Sequence, residues 1–223
     1  MKLTDQYKKG PPEKNLEYLT DKCWPHTYGS EVYDEMFEPI QDTVRNYLEI
    51  GAAYGGSALL MRDYFKHATI WTVDIIPPNH RLRNADRIIN LTADAYQSKI
   101  ANMFSSEMDI IIDDGSHNIE DQQKVIDLYL NKLLPGGIFI IEDVESPELS
   151  FKLFDKKVEN ITSNLQSRDN KWINYEVSTY IGPPYFSNIK KGREEFAKEE
   201  IKLHGELKKQ SRNNNLYIIK RTA

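Results

Sequence analysis

The stretch Tyr47–Ser57 reads YLEIGAAYGGS and decides the fold. Its first four residues form a short apolar segment typical of a buried strand, and a glycine-rich loop follows immediately. Residues 58–64 come next and are expected to form a helix. A strand that leads through glycines into a helix is the usual start of a βαβ unit, whose crossover returns to a parallel strand.

The same alternation continues towards the carboxyl end. Strands are predicted over 69–73, 88–91, 109–112, 138–141, 172–179 and 216–220, and helices over 31–46, 95–104, 119–133 and 147–165, with a turn at 134–137. Strands that alternate with helices indicate an α/β fold with a parallel sheet. The strands are nearly all apolar, which indicates that helices cover both faces of the sheet.

Length and composition favour a single folded domain over 1–223. The chain has 223 residues, of which 39% are hydrophobic, enough to build a sizeable core. Residues 1–30 are expected to form an amino-terminal arm and residues 47–145 the ligand-binding core. Residues 180–214 are interpreted as a charged insertion, in which 190–210 forms an exposed helix.

Charge and cysteine content narrow the class of protein. The net charge is −5 and no long basic block is present, which argues against a nucleic-acid partner. Cys23 is the only cysteine, and no apolar run suggests a signal peptide or a membrane span. We therefore expect a cytoplasmic protein without a membrane partner. A homo-oligomer is compatible with the sequence.

Acidic residues follow the predicted strands and are expected to meet at one edge of the sheet. These residues are Glu49, Asp74, Asp94, Asp113, Asp114, Glu142 and Asp143. The carboxyl ends of parallel strands share an edge, where ligands bind at the switch point of strand order. Any one of these acids could instead cap a helix or form a turn. Gathering all of them is costly without a cation, because like charges repel.

The glycine-rich loop and the next two acids predict a nucleoside site. Gly51 lets the backbone approach a ligand closely, and the helix that begins near Ser57 offers free N–H groups. Asp74 is placed to bind ribose hydroxyls, and Asp94 an adenine amine. The loop lacks the GxGxxG spacing of dinucleotide sites. A sulfonium nucleoside suits an acidic pocket better than a pyrophosphate does, so we prefer S-adenosylmethionine to NAD.

Two motif series resemble known families. Leu48–Gly51 followed by Asp74, Asp94 and Asp113 resembles class I S-adenosylmethionine-dependent methyltransferases. The stretch Ile111–His117, which reads IIDDGSH, is followed by Pro135–Gly137 and Ile140–Asp143. This combination is similar to the macrolide sugar O-methyltransferases of the mycinamicin and macrocin group, and to the cephalosporin hydroxylase group. The segment with Asp21, Lys22, His26 and Tyr28 resembles one that precedes the core in the sugar enzymes.

The resemblance implies a Rossmann-like fold with a mostly parallel seven-stranded sheet whose last strand is antiparallel. It implies that Asp114, Glu142 and Asp143 bind Mg²⁺ or another divalent cation, and that His117 is the general base. Neighbouring strands lie about 4.8 Å apart, so acids at the ends of two of them can share one cation. Oxygen ligands are those that Mg²⁺ takes.

The expected cofactor is S-adenosylmethionine. The residues predicted to bind it are Tyr28, Glu49, Gly51, Ser57, Asp74, Asp94 and Asp113. The preferred activity is methyl transfer to a hydroxyl of a sugar, a glycoside or another hydroxylated small molecule, assisted by a metal. The alternatives are an NAD-linked Rossmann oxidoreductase and a non-catalytic nucleoside-binding module. A metal-bound accessory protein of a hydroxylase is a further option.

Overall fold

The computed structural model describes residues 1–8, 18, 20, 22–23, 32–105, 107–169, 175–181 and 215–222. The predictions for Tyr28 and for most of the charged insertion, 182–214, fall outside these residues. Within the described part of the chain, no helix has both the length and the apolar composition of a membrane span.

Helices and strands alternate along the core. The helices are α1 Leu3–Lys8, α2 Asp34–Phe37, α3 Gly56–Tyr64, α4 His80–Arg83, α5 Ser98–Ala101, α6 Ile119–Tyr129 and α7 Pro147–Asp169, with 3-10 turns at Glu38–Ile40 and Leu130–Lys132. The strands are β1 Asn46–Ile50, β2 Thr69–Asp74, β3 Ile88–Thr92, β4 Met108–Asp113, β5 Leu133–Ile141, β6 Tyr175–Ile181 and β7 Asn215–Arg221.

The strands form one seven-stranded sheet in the order β3-β2-β1-β4-β5-β7-β6. The first five strands in that order pair in parallel, and β7 is antiparallel to both β5 and β6. The predicted Rossmann-like α/β fold with an antiparallel last strand is confirmed. The strand order reverses between β1 and β4, which places the ligand crevice at their carboxyl ends.

Three predicted elements differ most from the structure in their extent. The helix expected over 31–46 becomes α2 and a 3-10 turn that contains Pro39, whose ring removes a backbone donor. The helix expected over 95–104 shortens to α5, because the Asp94 side chain accepts from the backbone N–H of Tyr96 and forms a turn there. The turn expected at 134–137 is an irregularity inside β5, where Gly136 has φ +82°.

Side chains alternate between two cores, one on each face of the sheet. Tyr47 of β1 packs into a cluster with Leu60, Tyr64 and Phe65 around α3. Leu48 and Ile50 of the same strand face the cluster around α6 and α7. This double burial holds the carboxyl ends of β1 and β4 in fixed positions, and the functional side chains follow directly from those ends.

Candidate functional site

Backbone pairing continues beyond the strand ends and aligns the residues that follow them. The N–H of Gly51 donates to the carbonyl of Val73, and the N–H of Asp114 donates to that of Ile50, both at 2.9 Å. The N–H of Glu142 likewise donates to the carbonyl of Asp113 at 2.9 Å. The acids at the carboxyl ends of β1, β4 and β5 therefore lie side by side along one edge of the sheet.

Gly51 is required by close packing between two of these strand ends. Its φ is +84°, and a Cβ atom there would lie 2.1 Å from the carbonyl oxygen of Asp114. No side chain fits at that distance, and the left-handed backbone conformation also favours glycine. The glycine after β1 thus brings the loop into contact with the first residue after β4.

Asp74 closes the glycine-rich loop from the neighbouring strand. One carboxylate oxygen accepts from the backbone N–H of Ala53 at 2.7 Å, and the other from that of Ile76 at 2.8 Å. Asp74 also lines a small pocket with Ala52, Ala53 and Leu91. The predicted ribose-binding acid is therefore partly exposed and held in place by neutral backbone donors.

Tyr96 connects the loop after β3 to the loop after β4. Its hydroxyl donates to Asp113 Oδ1 and accepts from the backbone N–H of Ser116, both at 2.9 Å. Asp94 shapes the same loop by accepting from the Tyr96 N–H at 3.0 Å. A Cβ atom on Gly115 would lie 2.1 Å from the Tyr96 hydroxyl, so a larger residue in this turn would displace that hydroxyl.

His117 lies in the turn that leads into α6. Its φ is +59°, which is uncommon for a residue with a Cβ atom and is found at functional sites. The next residue, Asn118, caps α6 by accepting from the N–H of Asp121 at 2.9 Å. The Ser116 hydroxyl donates to the Asp121 carboxylate at 2.9 Å. The turn is therefore fixed on both sides of the imidazole.

Three potential metal ligands converge beside this turn. Asp114, His117 and Asp143 each offer one ligand atom, and these atoms lie within 4.8 Å of one another. His117 Nε2 lies 3.9 Å from Asp114 Oδ1. Asp143 has φ +51° and follows Glu142, whose carbonyl accepts from the side chain of Gln122 at 3.1 Å. Two strained residues therefore face one another across the ends of β4 and β5.

Lys22 contacts Asp114 of this cluster and two further acids. Its ammonium lies 2.6 Å from Asp114 Oδ2, 2.7 Å from Glu142 Oε2 and 3.7 Å from Glu49 Oε1. The side chains of Lys22, Glu49 and Glu142 are completely buried. The hydroxyl of Tyr33 donates to the second oxygen of Glu142. A lysine from the amino-terminal segment thus binds acids from three strand ends.

Burial and neighbouring charges shift the pKa values of the ionisable side chains in the site. Burial raises the pKa of Glu49 to about 7, against the opposing effect of Lys22. Burial also raises the pKa of Asp113 to about 7, although the hydrogen bond from Tyr96 lowers it. Burial alone would lower the pKa of Lys22, but Asp114, Glu142 and Glu49 raise it well above its usual value. The ammonium is therefore charged at neutral pH.

The predicted site residues fall into three groups. Asp114, His117 and Asp143 come together as one cluster. Glu142 and Glu49 instead contact Lys22, and Ser57 lies beside Glu49. The remaining predictions, Gly51, Asp74, Asp94 and Asp113, lie along the glycine-rich loop and the Tyr96 loop.

Sequence reasoning missed Lys22 and Tyr96 as parts of the site. Tyr33, another residue of the site, is buried and donates to Glu142. Lys22 had a signal, since it belongs to the segment that resembles the sugar enzymes. Its burial had none, because a lysine near the amino terminus usually remains in solvent.

Comparison with protein families and curated relatives indicates a methyltransferase. Residues 48–144 match the family model described as a methyltransferase domain. The 8-demethyl-8-alpha-L-rhamnosyl tetracenomycin-C 2'-O-methyltransferase of Streptomyces olivaceus is 29% identical over an alignment of 139 residues that covers 59% of this chain and 36% of the relative. The mycinamicin VI 2''-O-methyltransferase of Micromonospora griseorubida is 28% identical over an alignment of 144 residues that covers 59% of this chain and 35% of the relative. The matched part spans about a third of each relative's length.

A solved structure shares the fold. The MycE methyltransferase from the mycinamycin biosynthetic pathway, solved with Mg, SAH and mycinamycin VI, aligns with a TM-score of 0.61 and 16% identity. The alignment covers 100% of this chain and 55% of MycE. The family match favours a methyltransferase over the dinucleotide alternative. The resemblance inferred from the sequence is confirmed: residues 48–144 match the model of a methyltransferase domain, and the chain is similar to the macrolide sugar O-methyltransferases.

Proposed function

We propose that this protein is a metal-dependent O-methyltransferase that transfers a methyl group from S-adenosylmethionine to a hydroxyl of a sugar or another hydroxylated small molecule. The cluster of Asp114, His117 and Asp143 carries the proposal, because it places an imidazole beside two carboxylates at the ligand-binding edge of a methyltransferase domain. The relatives' names refer to sugar-bearing natural products, which supports a glycoside acceptor.

The donor set fits a hard divalent cation such as Mg²⁺. Asp114 and Asp143 offer carboxylate oxygens that converge, and Glu142 follows the same strand as Asp143. A carboxylate has about four lone-pair positions, so Asp114 and Glu142 can bind a cation while retaining Lys22. We therefore assign Asp114, Glu142 and Asp143 to the metal. When bound, the cation would lower the pKa of an acceptor hydroxyl and orient it.

His117 is the proposed general base. Its side chain is 28% exposed, which leaves room for an acceptor hydroxyl to approach the imidazole. The imidazole accepts the hydroxyl proton as the oxygen attacks the methyl carbon. Asp114, at 3.9 Å, then stabilises the imidazolium that forms. The fixed turn around His117 keeps the base aligned with the acceptor hydroxyl, and such alignment lowers the barrier to the reaction.

The cofactor is proposed to bind along the glycine-rich loop. Gly51 keeps the backbone open, and Asp74 retains lone pairs for ribose hydroxyls beyond those used by Ala53 and Ile76. Asp94 is assigned to the adenine amine. Glu49, Ser57, Asp113 and Tyr28 remain predicted cofactor residues. S-adenosylmethionine would supply the methyl group that is transferred.

The test is transfer of a labelled methyl group from S-adenosylmethionine to a panel of glycosides with vicinal hydroxyls. We expect transfer with Mg²⁺ and none after treatment with EDTA, with recovery when Mg²⁺ is restored. Calorimetry with S-adenosylhomocysteine, run in parallel, should show binding. Full activity in EDTA would reject the metal assignment. Absence of S-adenosylhomocysteine binding would reject the methyltransferase itself.

A further inference from the structure

Lys22 places a permanent positive charge inside the proposed metal site. Its side chain is completely buried and reaches acids at the carboxyl ends of three different strands. A buried ammonium group is tolerated only where charged partners surround it, and the acids in turn need a compensating cation. Lys22 and its three partners therefore hold one another in place.

Two of these partners also belong to the proposed metal site. Asp114 directs Oδ2 to Lys22 at 2.6 Å and Oδ1 towards His117 at 3.9 Å. Glu142 directs Oε2 to Lys22 at 2.7 Å and its other oxygen to Tyr33. A divalent cation held by Asp114 and Glu142 would lie close to the ammonium. The repulsion between two such charges is screened only weakly where both are buried.

We propose that Lys22 is a positioning residue that acts as a built-in counter-cation. It assembles Glu49, Asp114 and Glu142 into one cluster and lowers the affinity of that cluster for divalent metal. This inference rests on the proposed function, because it takes Asp114 and Glu142 as metal ligands. Lys22 and the metal neutralise the same carboxylates, so the loss of one increases the stabilising effect of the other.

The experiment compares the full-length wild type with Lys22→Met. Binding of Mn²⁺ is measured by calorimetry, and the melting temperature is measured in EDTA and in saturating Mn²⁺. We expect Lys22→Met to bind Mn²⁺ about tenfold more tightly, a change within the usual range of coupling between two sites. Its loss of melting temperature should be large in EDTA and smaller in Mn²⁺, because a ligand that binds more tightly stabilises the folded state more at the same concentration.

Tyr18→Phe is the matched control for a loosened arm. The Tyr18 hydroxyl donates to Asp63 on α3, so its removal loosens the same segment while Lys22 and its three acids are kept. Tyr18→Phe should lower the melting temperature equally in EDTA and in Mn²⁺ and leave the affinity for Mn²⁺ unchanged. Lys22→Arg retains the charge and should keep affinity close to that of the wild type. If Lys22→Met does not fold, Lys22→Gln, which keeps hydrogen-bond donors without charge, replaces it.

Three results would overturn the inference, and they differ in what else they reject. Equal or weaker Mn²⁺ binding by Lys22→Met, with clear binding by the wild type, would overturn only the role of Lys22. The same conclusion would follow if Tyr18→Phe reproduced the tighter binding. Absence of Mn²⁺ binding by the wild type would reject the proposed metal site, and the inference with it.

Discussion

The acids on the two sides of the switch point are held in opposite ways. On the β2 and β3 side, Asp74 and Asp94 accept from backbone and amide N–H groups and remain partly exposed. On the β4 and β5 side, Asp114 and Glu142 bind the ammonium of Lys22, and Glu142 is completely buried. At one edge of the sheet, the acids on one side are therefore held by neutral N–H donors and those on the other side by a charged ammonium.

The difference separates the two kinds of ligand that the edge can bind. Carboxylates held by neutral donors keep spare lone pairs and suit the hydroxyls and amine of a nucleoside. Buried carboxylates that are already neutralised by one cation can bind a second cation only if there are enough of them for both. We therefore expect substitutions on the two sides to affect different ligands.

The largest effect is expected at His117. Replacing His117 with alanine removes the proposed base and should lower the rate of methyl transfer by about 100- to 10,000-fold. S-adenosylhomocysteine affinity, measured by calorimetry, should change little, because His117 lies on the β4 side. His67→Ala, at an exposed histidine between α3 and β2, is the control and should keep full activity. Unchanged turnover in His117→Ala would exclude His117 from proton transfer.

The next effect should fall on the metal. Asp143→Asn exchanges a converging carboxylate for a neutral amide and should weaken Mn²⁺ binding by at least about tenfold, by analogy with losses seen around metal sites. S-adenosylhomocysteine binding should remain within about twofold, since Asp143 is far along the edge from Asp74. Calorimetric titration of each ligand makes both measurements. A parallel loss of both affinities would contradict the separation of the two sides.

A substitution on the β2 side should affect the binding of the nucleoside alone. Asp74→Asn removes a charged acceptor and should weaken S-adenosylhomocysteine binding by about tenfold, as expected for a hydrogen bond to a charged group. Binding of Mn²⁺ should be unchanged. Asp86→Asn, at a largely exposed aspartate between α4 and β3, is the control. If Asp74→Asn weakened Mn²⁺ binding as strongly, the two sides would act as one site.

The smallest effect is expected where the two sides meet. Tyr96→Phe removes the hydroxyl that joins Asp113 to Ser116 and should lower the free energy of unfolding by about 1–2 kcal/mol. Urea denaturation measures this change. Tyr129→Phe is the control, since its hydroxyl donates to the backbone carbonyl of Ala95 and not to a residue of the His117 turn. Tyr96→Phe should reduce turnover several-fold beyond Tyr129→Phe. Equal turnover would show that Tyr96 does not position the turn.

The sheet could be predicted because its signals are local. Apolar runs such as 109–112 allow burial on both faces, and the glycines after β1 mark the first crossover. The edge occupied by the acids followed from topology, since parallel strands end on the same side. A helix was predicted over 95–104, but its shortening to α5 was not, because the Asp94 side chain replaces a helical turn by a local hydrogen bond.

The partners of each acid could not be predicted, because they come from distant parts of the chain. Lys22 is separated by 120 positions from Glu142, and Tyr33 by 109. Nothing in the periodicity of the amino-terminal segment indicates that a lysine is buried there. Long-range pairs of this kind depend on the packing of the arm against the sheet, and a single sequence does not encode that packing in any local pattern.

The contact between Gly51 and the Asp114 carbonyl determines how the site can be redesigned. The backbones that carry the two kinds of site meet there without an intervening side chain, so residue 51 cannot be diversified while Asp114 keeps its place. Gly136 has a similar φ, +82°, but open space around it, so only the intrinsic preference for glycine limits exchange. Libraries that aim at a new acceptor should vary the surrounding surface and leave this junction intact.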